Sequence, residues 1–187
     1  MFVIQESLYI KSIENSSIMI NLSVNSCNHI LDGSKTVIVL QTLPQDFTYF
    51  IDRRYTAYIF NKNMGIIGEC SISFLRRNVC GYRHISDYKQ HPEKYERIVE
   101  ELNKHTDLSG TCLSYEDFRK IVGIGRHYFF EIHHFSPYDP PLPIDEFWIG
   151  REGKNGDFAP SEKFKYPRTW CYALKKSDIK DMEKELS

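Results

Sequence analysis

The 187-residue sequence lacks a long hydrophobic run, and no segment reaches the roughly 18 apolar residues that a membrane-spanning helix needs. It also lacks an excess of charge of either sign, because 24 Lys and Arg residues stand against 25 Asp and Glu residues. The net charge of −1 excludes a broad electrostatic surface for duplex nucleic acid, although it leaves room for a small basic site.

The five cysteines include no CxxC pair, and their odd number argues against a disulfide framework. Unpaired cysteines of this kind are typical of a reducing compartment, so the sequence predicts a cytoplasmic protein. The first ten residues, MFVIQESLYI, carry Glu6 and no basic region, which excludes a signal peptide.

Alternating and β-branched segments predict a β-rich chain. The predicted strands are residues 17–24, 35–42, 53–61, 65–75, 126–135 and 168–174, and the third and fourth are spaced as a hairpin. Between the first two strands we expect a short helix capped by Asn25 and ended by Gly33.

Two longer helices are expected in the middle of the chain, at residues 91–105 and after Ser114. Ser114 and Asp117 have the spacing of a capping box, and Leu113 with Phe118 has the spacing of a hydrophobic staple. The proline-rich segment at 136–143, SPYDPPLP, is predicted to be irregular because proline lacks a backbone donor.

This order of elements predicts the α+β class: a small mixed, mostly antiparallel β-barrel with inserted helices and a C-terminal helical extension. The predicted divisions are an N-terminal lead-in (1–16), one domain (17–174) and a C-terminal helix (175–187).

Motifs for metal or nucleophilic chemistry are weak in this sequence, so we expect no metal and no cofactor. His133 and His134 are neighbours on a predicted strand and point to opposite faces. No G-x-S-x-G sequence is present, and the Gly-x-Gly of GIGRH (123–127) precedes a strand where a phosphate-binding loop needs a helix.

A basic and aromatic segment, LRRNVCGYRHISDYK (75–89), has two interpretations. Arg76 and Arg77 beside tyrosines suit single-stranded nucleic acid, by phosphate contact and base stacking, or the segment is a solvated loop. Trp148, Trp170 and Tyr172 could form a base-binding cage, or they belong to the core or an interface.

Four segments in a fixed order resemble the ASCH domain family, a branch of the PUA-like superfamily. They are INLSVNSCNHILDGSKTV, YIFNKNMGIIGECSI, SGTCLSYEDFRKIV and RHYFFEIHHFSPYDPPLPIDEF, and the resemblance spans roughly residues 18–148. It implies a small barrel with a cleft near a Gly-x-Lys-Thr turn and an RNA or nucleotide-like ligand. One branch of that family deacylates N4-acetylcytidine with a lysine, a threonine and a carboxylate, and others have been linked to RNA cleavage.

The resemblance places the family lysine at Lys35 and the adjoining threonine at Thr36. It places the catalytic threonine at Ile38, and an arginine that often ends this strand at Leu40. The catalytic carboxylate falls near Thr111, and the closest acid is Asp107. Two of the three groups of the amidohydrolase are therefore missing, which favours binding over catalysis.

Three hypotheses follow from the sequence. The first is an RNA- or nucleotide-binding module in a cleft beside residues 33–36, with ligand contacts from Lys35, Thr36, Asn61, Arg76, Arg77, Trp170 and Tyr172. The second is a metal-independent hydrolase acting on a modified nucleoside or RNA, with Lys35 as the base. The third is a protein-interaction module.

Overall fold

The computed structural model describes residues 17–42, 54–79, 93, 104–122, 126–150, 158–160 and 169–178. Its strands are β1 (Ile18–Asn21), β2 (Val37–Leu40), β3 (Arg54–Asn61), β4 (Gly65–Val79), β5 (Arg126–Leu142), β6 (Phe147–Gly150), β7 (Phe158–Pro160) and β8 (Trp170–Lys175). The α-helices in these residues are α1 (Val24–Leu31) and α2 (Tyr115–Val122), and a 3-10 turn (Ile144–Glu146) precedes β6.

Some predicted segments lie outside the described residues. They are the lead-in (1–16), the basic and aromatic segment beyond residue 79, most of the 91–105 helix, and the C-terminal helix after residue 178. Residues 176–178 are helical. The predicted domain divisions therefore stay predictions.

The described strands form one mixed sheet in the order β2-β5-β4-β3-β1-β8-β6-β7. The pair β1–β3 is parallel, and the other described pairs are antiparallel. The α+β class is thus confirmed. The described strands do not form the predicted β-barrel, because their pairing order is linear and no described ladder joins its ends. A side-chain hydrogen bond connects the start of β8 to the residues after β2. In it, Trp170 Nε1 donates to Thr42 Oγ1 at 3.0 Å.

The sheet is strongly curled, and this curvature creates its main core. Buried residues from six strands and α1 pack into one cluster, whose members include Ile18, Ile38, Ile59, Ile72, Phe130 and Leu174. Alternate residues of the same strands face the opposite way, and Met19, Tyr58 and Phe60 pack there against Phe147 and Ile149 of β6. Both faces of β1, β3 and β8 are therefore buried, which explains their nearly continuous apolar sequences.

Helix α1 begins earlier than predicted, because Ser23 and not Asn25 is its N-cap. Ser23 Oγ accepts a hydrogen bond from the Ser26 N–H at 3.2 Å. The predicted end is confirmed, since Gly33 follows the helix with a φ of 78°.

The capping box of α2 is confirmed. Ser114 Oγ accepts from the Asp117 N–H at 3.1 Å, and the two side chains also form a hydrogen bond of 2.7 Å. Phe118 is fully buried, and Leu113 packs against its cluster as the staple predicts. No helix in the described part of the chain combines the length and hydropathy required to cross a membrane.

The prediction that residues 136–143 are irregular is wrong, because β5 continues to Leu142. Its pairing with β4 jumps from Gly68↔Pro137 to Ile66↔Leu142, so several residues of β5 bulge opposite one residue of β4. A bulge accommodates proline because its backbone nitrogen is not required to donate to the ladder. On its other side, β5 pairs with β2 only through residues 128–131, so the proline segment is also at an edge.

Candidate functional site

A pocket of about 240 Å³ lies beside the turn formed by residues 33–36, Gly-Ser-Lys-Thr. Its lining comes from separate parts of the chain: Asn21, Leu22, Ser23, Ser26, Lys35, Val39, Leu40, Gln41, Leu113 and Thr169. The Asn21 N–H donates to the Thr169 carbonyl at 2.7 Å, which joins the β1 side of the pocket to the start of β8. The pocket therefore lies between β2 and the β1–β8 pair, where the curled sheet does not close.

The local sequence explains why Lys35 points inward. After α1, the Asp32 side chain accepts from the Ser34 N–H at 2.8 Å, and Gly33 supplies the left-handed backbone that reverses the chain. The Lys35 N–H then donates to the His29 carbonyl at 2.8 Å. These bonds fix the turn against α1 and direct the lysine side chain toward the protein interior.

Lys35 is a buried cation, with only 5% of its surface exposed. Its Nζ donates to the backbone carbonyl of Thr111, and among the described residues no carboxylate forms an ion pair with it. Burial lowers the pKa of Lys35, and the nearby Cys112 thiol opposes that effect in part. The amine is thus easier to deprotonate than a solvated lysine.

The carbonyl that accepts the hydrogen bond from Lys35 belongs to a segment (104–114) that is held at two points. At Gly110, the backbone carbonyl accepts from the Thr36 and Val37 N–H groups at 2.8 and 2.9 Å. At Asp107, Arg76 donates to the carboxylate at 3.2 Å and also to the backbone oxygen. The lysine environment therefore depends on contacts that reach from β2 to β4.

A small polar cluster lies on the exposed side of the turn. Cys112 Sγ donates to Ser34 Oγ at 3.6 Å, and Ser34 Oγ is 2.9 Å from His29 Nδ1. The same Nδ1 is 3.6 Å from Asp32 Oδ2. A catalytic triad needs the acid and the nucleophile on different ring nitrogens, so this cluster is not one.

A second serine–histidine–acid cluster fails the same test. On β4 and β5, Ser73 Oγ is 2.8 Å from His133 Nε2, and Glu131 is 3.6 Å from that same nitrogen. Among the residues that the structure describes, no three His, Cys, Asp or Glu side chains gather in a way that could hold a metal ion.

The structure separates most of the predicted ligand residues from the pocket. Thr36 is exposed beside Lys35. Asn61 is buried and donates to the Leu22 carbonyl at 2.6 Å, so it supports a lining residue. Arg76 stacks over the Phe129 ring at 4.5 Å, and Arg77 is exposed on the same strand.

The two aromatic candidates also lie outside the lining. Trp170 packs edge-on to Tyr172, with ring centroids 5.7 Å apart, and its N–H is bonded to Thr42. Tyr172 belongs to the main core. Thr169, directly before them, is the residue of this segment that lines the pocket.

The positions at which the family resemblance places the catalytic threonine, the arginine at the strand end and the carboxylate are occupied by buried residues. Ile38 is 0% exposed and Leu40 is 4% exposed. Thr111, also fully buried, meets Lys35 with its backbone oxygen where the resemblance places a carboxylate side chain. Asp107, the closest acid in sequence, is bonded to Arg76.

Sequence reasoning missed most of the polar lining, namely Asn21, Ser23, Ser26, Gln41 and Thr169. They come from separate chain segments, and no spacing in the sequence brings them together. Ser23 carried a usable signal, since a serine three residues before another polar residue at a helix start is a common N-cap.

Comparison with solved structures supports the architecture. An ASCH protein from Zymomonas mobilis, solved as a serine-to-alanine variant, has a TM-score of 0.50 and 14% sequence identity, over 91% of this chain and 96% of that one. Its tyrosine-to-phenylalanine variant gives a TM-score of 0.49 and 14% identity, over 90% and 96% of the two chains. The fold of this chain is that of an ASCH domain.

A third similar structure is the N-terminal domain of Staphylothermus marinus McrB, with a TM-score of 0.40 and 10% identity, over 69% of this chain and 77% of that one. No family model matches the sequence, and no curated protein matches it. The ASCH likeness is therefore one of three-dimensional structure at low sequence identity.

Proposed function

We propose that this protein is an RNA- or nucleotide-binding module of the ASCH fold, and that its ligand occupies the pocket beside residues 33–36. The observation that carries the proposal is a buried cation, Lys35, in the wall of a pocket whose other lining residues are uncharged. With a net charge of −1, the chain has no general attraction for polyanions, so recognition would depend on this local site.

The dimensions and chemistry of the pocket suit a single base or nucleoside. Its volume of about 240 Å³ is just below the roughly 300 Å³ at which sites for drug-sized ligands begin. Leu22, Val39, Leu40 and Leu113 offer apolar contact for the faces of a ring. The polar side chains of the lining offer donors and acceptors for ring edges, and Lys35 offers the charged donor.

The test compares Lys35→Ala with Lys62→Ala, a matched loss of one lysine from the exposed turn between β3 and β4. Binding of nucleosides, nucleotides and short single-stranded RNA is measured by calorimetry and by thermal shift, because a specific ligand raises the melting temperature. A hydrogen bond to a charged group contributes about 1.5–3 kcal/mol, so Lys35→Ala should weaken binding about 10- to 100-fold.

The Lys62→Ala protein should bind like the wild type. Equal affinities for the wild type and Lys35→Ala would refute the proposal. If no nucleoside or RNA binds and a protein partner co-purifies, the third hypothesis, protein interaction, replaces it.

A second candidate function is hydrolysis of a modified nucleoside or RNA without a metal. It is favoured by one observation, that burial lowers the pKa of Lys35 and so makes its amine more available as a base. Against it, Ile38 has no hydroxyl where the amidohydrolases of the ASCH family have a threonine, and Thr111 has no carboxylate where they have an acidic residue.

This candidate is tested by incubating the protein with N4-acetylcytidine, or with RNA, in the presence of a metal chelator. Product that appears with the wild type and disappears with Lys35→Met would establish the hydrolase. Absence of product together with tight binding would leave the binding module.

A further inference from the structure

We propose that Lys35 is also a carbonyl-reactive amine, which forms an imine with the aldehyde of an open-chain pentose held in the same pocket. The inference rests on the proposed function in one respect, that the pocket accepts a part of a nucleic acid or nucleoside, whose sugar is a pentose. It adds a covalent activity that binding alone does not require.

The surroundings of the amine favour nucleophilic attack. A neutral amine has two N–H groups and one lone pair, and one N–H of Lys35 is directed at the Thr111 carbonyl. The lone pair then points away from that oxygen. Lys35 lines the pocket, so a ligand there contacts this side chain.

The charges around Lys35 also favour the neutral, nucleophilic form of its amine. No described carboxylate stabilises its ammonium form, and its hydrogen-bond partner is a neutral carbonyl. Cys112 opposes the effect of burial on the pKa of Lys35 only in part. Burial lowers the pKa of Lys35, so a larger share of this amine is neutral than for a solvated lysine at the same pH. Desolvated lysines of this kind are the ones that form Schiff bases in proteins.

The lining indicates which carbonyl compound fits. Five of its side chains are neutral amides or hydroxyls, the kinds of group that form hydrogen bonds with sugar hydroxyls: Asn21, Ser23, Ser26, Gln41 and Thr169. No other charged residue among the described lining competes with Lys35. An open-chain pentose has one aldehyde and several hydroxyls, and it occurs as a free sugar or at an abasic site of a nucleic acid.

The step balances without an oxidant, a reductant or a cofactor. The Nζ lone pair attacks the aldehyde carbon, the π electrons of the C=O bond move to oxygen, and solvent protonates that oxygen. The nitrogen then releases one proton to solvent, which gives the neutral carbinolamine. Solvent protonates its hydroxyl, which leaves as water while the nitrogen lone pair forms the C=N bond, and the iminium nitrogen releases its remaining proton to solvent. One amine and one aldehyde give one imine and one water.

The experiment traps the imine by adding cyanoborohydride, which delivers hydride to the imine carbon and makes the link permanent. Three probes are used: free ribose, a single-stranded oligonucleotide with one abasic site, and the same oligonucleotide with every base intact. Peptide mapping of the wild-type protein identifies the labelled lysine, so the main readout does not depend on a variant. We expect labelling at Lys35, and none with the intact oligonucleotide.

Lys35→Arg keeps the positive charge and a donor for the Thr111 carbonyl but has no nucleophilic amine, so the adduct should be lost. Lys62→Arg, changed in the exposed turn, should keep it. Melting temperatures of both variants check that they are folded. Labelling by the abasic oligonucleotide alone assigns the nucleic acid as the source, and labelling by ribose alone assigns the free sugar.

The inference is overturned if adducts are spread evenly over exposed lysines such as Lys62 and Lys120, if Lys35→Arg is labelled like the wild type, or if no adduct forms. Nucleoside binding is measured on the same protein. If the wild-type protein binds nucleosides through Lys35 but forms no adduct, only the covalent activity is refuted. If it neither binds nucleosides nor forms an adduct, the proposed function is refuted as well.

Discussion

At Gly68, strand β4 approaches the paired strand β5 too closely for a side chain to fit. A Cβ atom there would lie 2.4 Å from the Ser136 carbonyl oxygen and 2.7 Å from the Phe135 ring. The oxygen belongs to the backbone of a paired strand, so it cannot rotate away. We expect Gly68→Ala to lower the free energy of unfolding by about 2–3 kcal/mol, measured by urea denaturation.

Gly33→Ala is the matched control for that change. Gly33 has a φ of 78°, but a Cβ atom added there would have no atom within 4 Å, so alanine meets only the left-handed backbone penalty of about 1–2 kcal/mol. Gly68 has no left-handed φ, so its loss should come from the strand contact alone, and a Gly68→Ala protein with wild-type stability would show that β5 shifts to make room for the methyl group.

Single residues also show what the sequence could predict of the site. The glycine stop after α1 and the lysine that follows it are readable, because helix-ending signals are local. The role of Asn61 is not readable, because its partner, the Leu22 carbonyl, is 39 residues away in sequence. A polar residue at a strand end looks the same whether it binds a ligand or a distant backbone oxygen.

At the scale of elements, Arg76 connects β4 to the segment that carries Thr111. Its guanidinium bonds to Asp107 through two nitrogens and stacks on the Phe129 ring. We expect Arg76→Ala to cost about 1–2 kcal/mol of stability and to speed hydrogen exchange at the Thr111 amide. Because the Thr111 carbonyl accepts the hydrogen bond that positions Lys35, this variant should also bind the ligand more weakly.

Arg77→Ala is the control, since Arg77 is exposed and neighbouring strand residues point to opposite faces. It should change stability by less than about 0.5 kcal/mol. Arg76→Lys should resemble Arg76→Ala, because lysine cannot reproduce the two-nitrogen contact or the planar stacking. A fully functional Arg76→Lys protein would show that charge alone holds the segment.

The elements themselves are predictable to different degrees. The β3–β4 hairpin and α2 follow from short-range signals, and the structure has both. The full length of β5 does not follow, because prolines ordinarily break strands, and only the bulged pairing with β4 shows how they are accommodated. The sequence groups Arg76 with a basic and aromatic segment, but β4 extends to Val79 and makes it a strand residue.

At the scale of the molecule, the curvature of the sheet determines where the pocket lies. Strand β2 and the β1–β8 pair come close without forming a ladder, and the pocket lies between them. Hydrophobic alternation predicts strands with one or two buried faces, but it carries no information on whether a curled sheet closes. That outcome depends on contacts such as Trp170 to Thr42, which join residues 128 positions apart.

The whole fold should also be sensitive to alkali, because three buried thiols titrate abnormally. Desolvation by burial raises the pKa of Cys27 from 9.0 to about 11 and the pKa values of Cys70 and Cys171 to about 12. Below about pH 9 these thiols are protonated in both states, and their contribution to stability is complete. Above it the unfolded chain releases protons that the folded protein retains, so stability falls as pH rises through the folded values.

Each thiol in this window contributes a loss of up to about 1.4 kcal/mol per pH unit, or roughly 4 kcal/mol for the three together. Lys35 acts in the opposite direction, because its lowered pKa makes the unfolded state bind more protons between the folded value and 10.5. One such group cannot offset three thiols, and Tyr58 and Tyr138, whose pKa values burial raises, add to the loss. Stability should therefore decline between about pH 9 and pH 11.

Urea denaturation under reducing conditions at about pH 8 and about pH 10 measures this decline. Cys171→Ala should reduce the loss of stability by up to about 1.4 kcal/mol per pH unit, which is the contribution of one thiol. The Cys70→Ala variant should have the same effect, since Cys70 is as deeply buried and its pKa is raised as far. Stability that stays constant across this range would mean that these thiols exchange protons with solvent without unfolding, and that the curled sheet opens far more readily than its packed core implies.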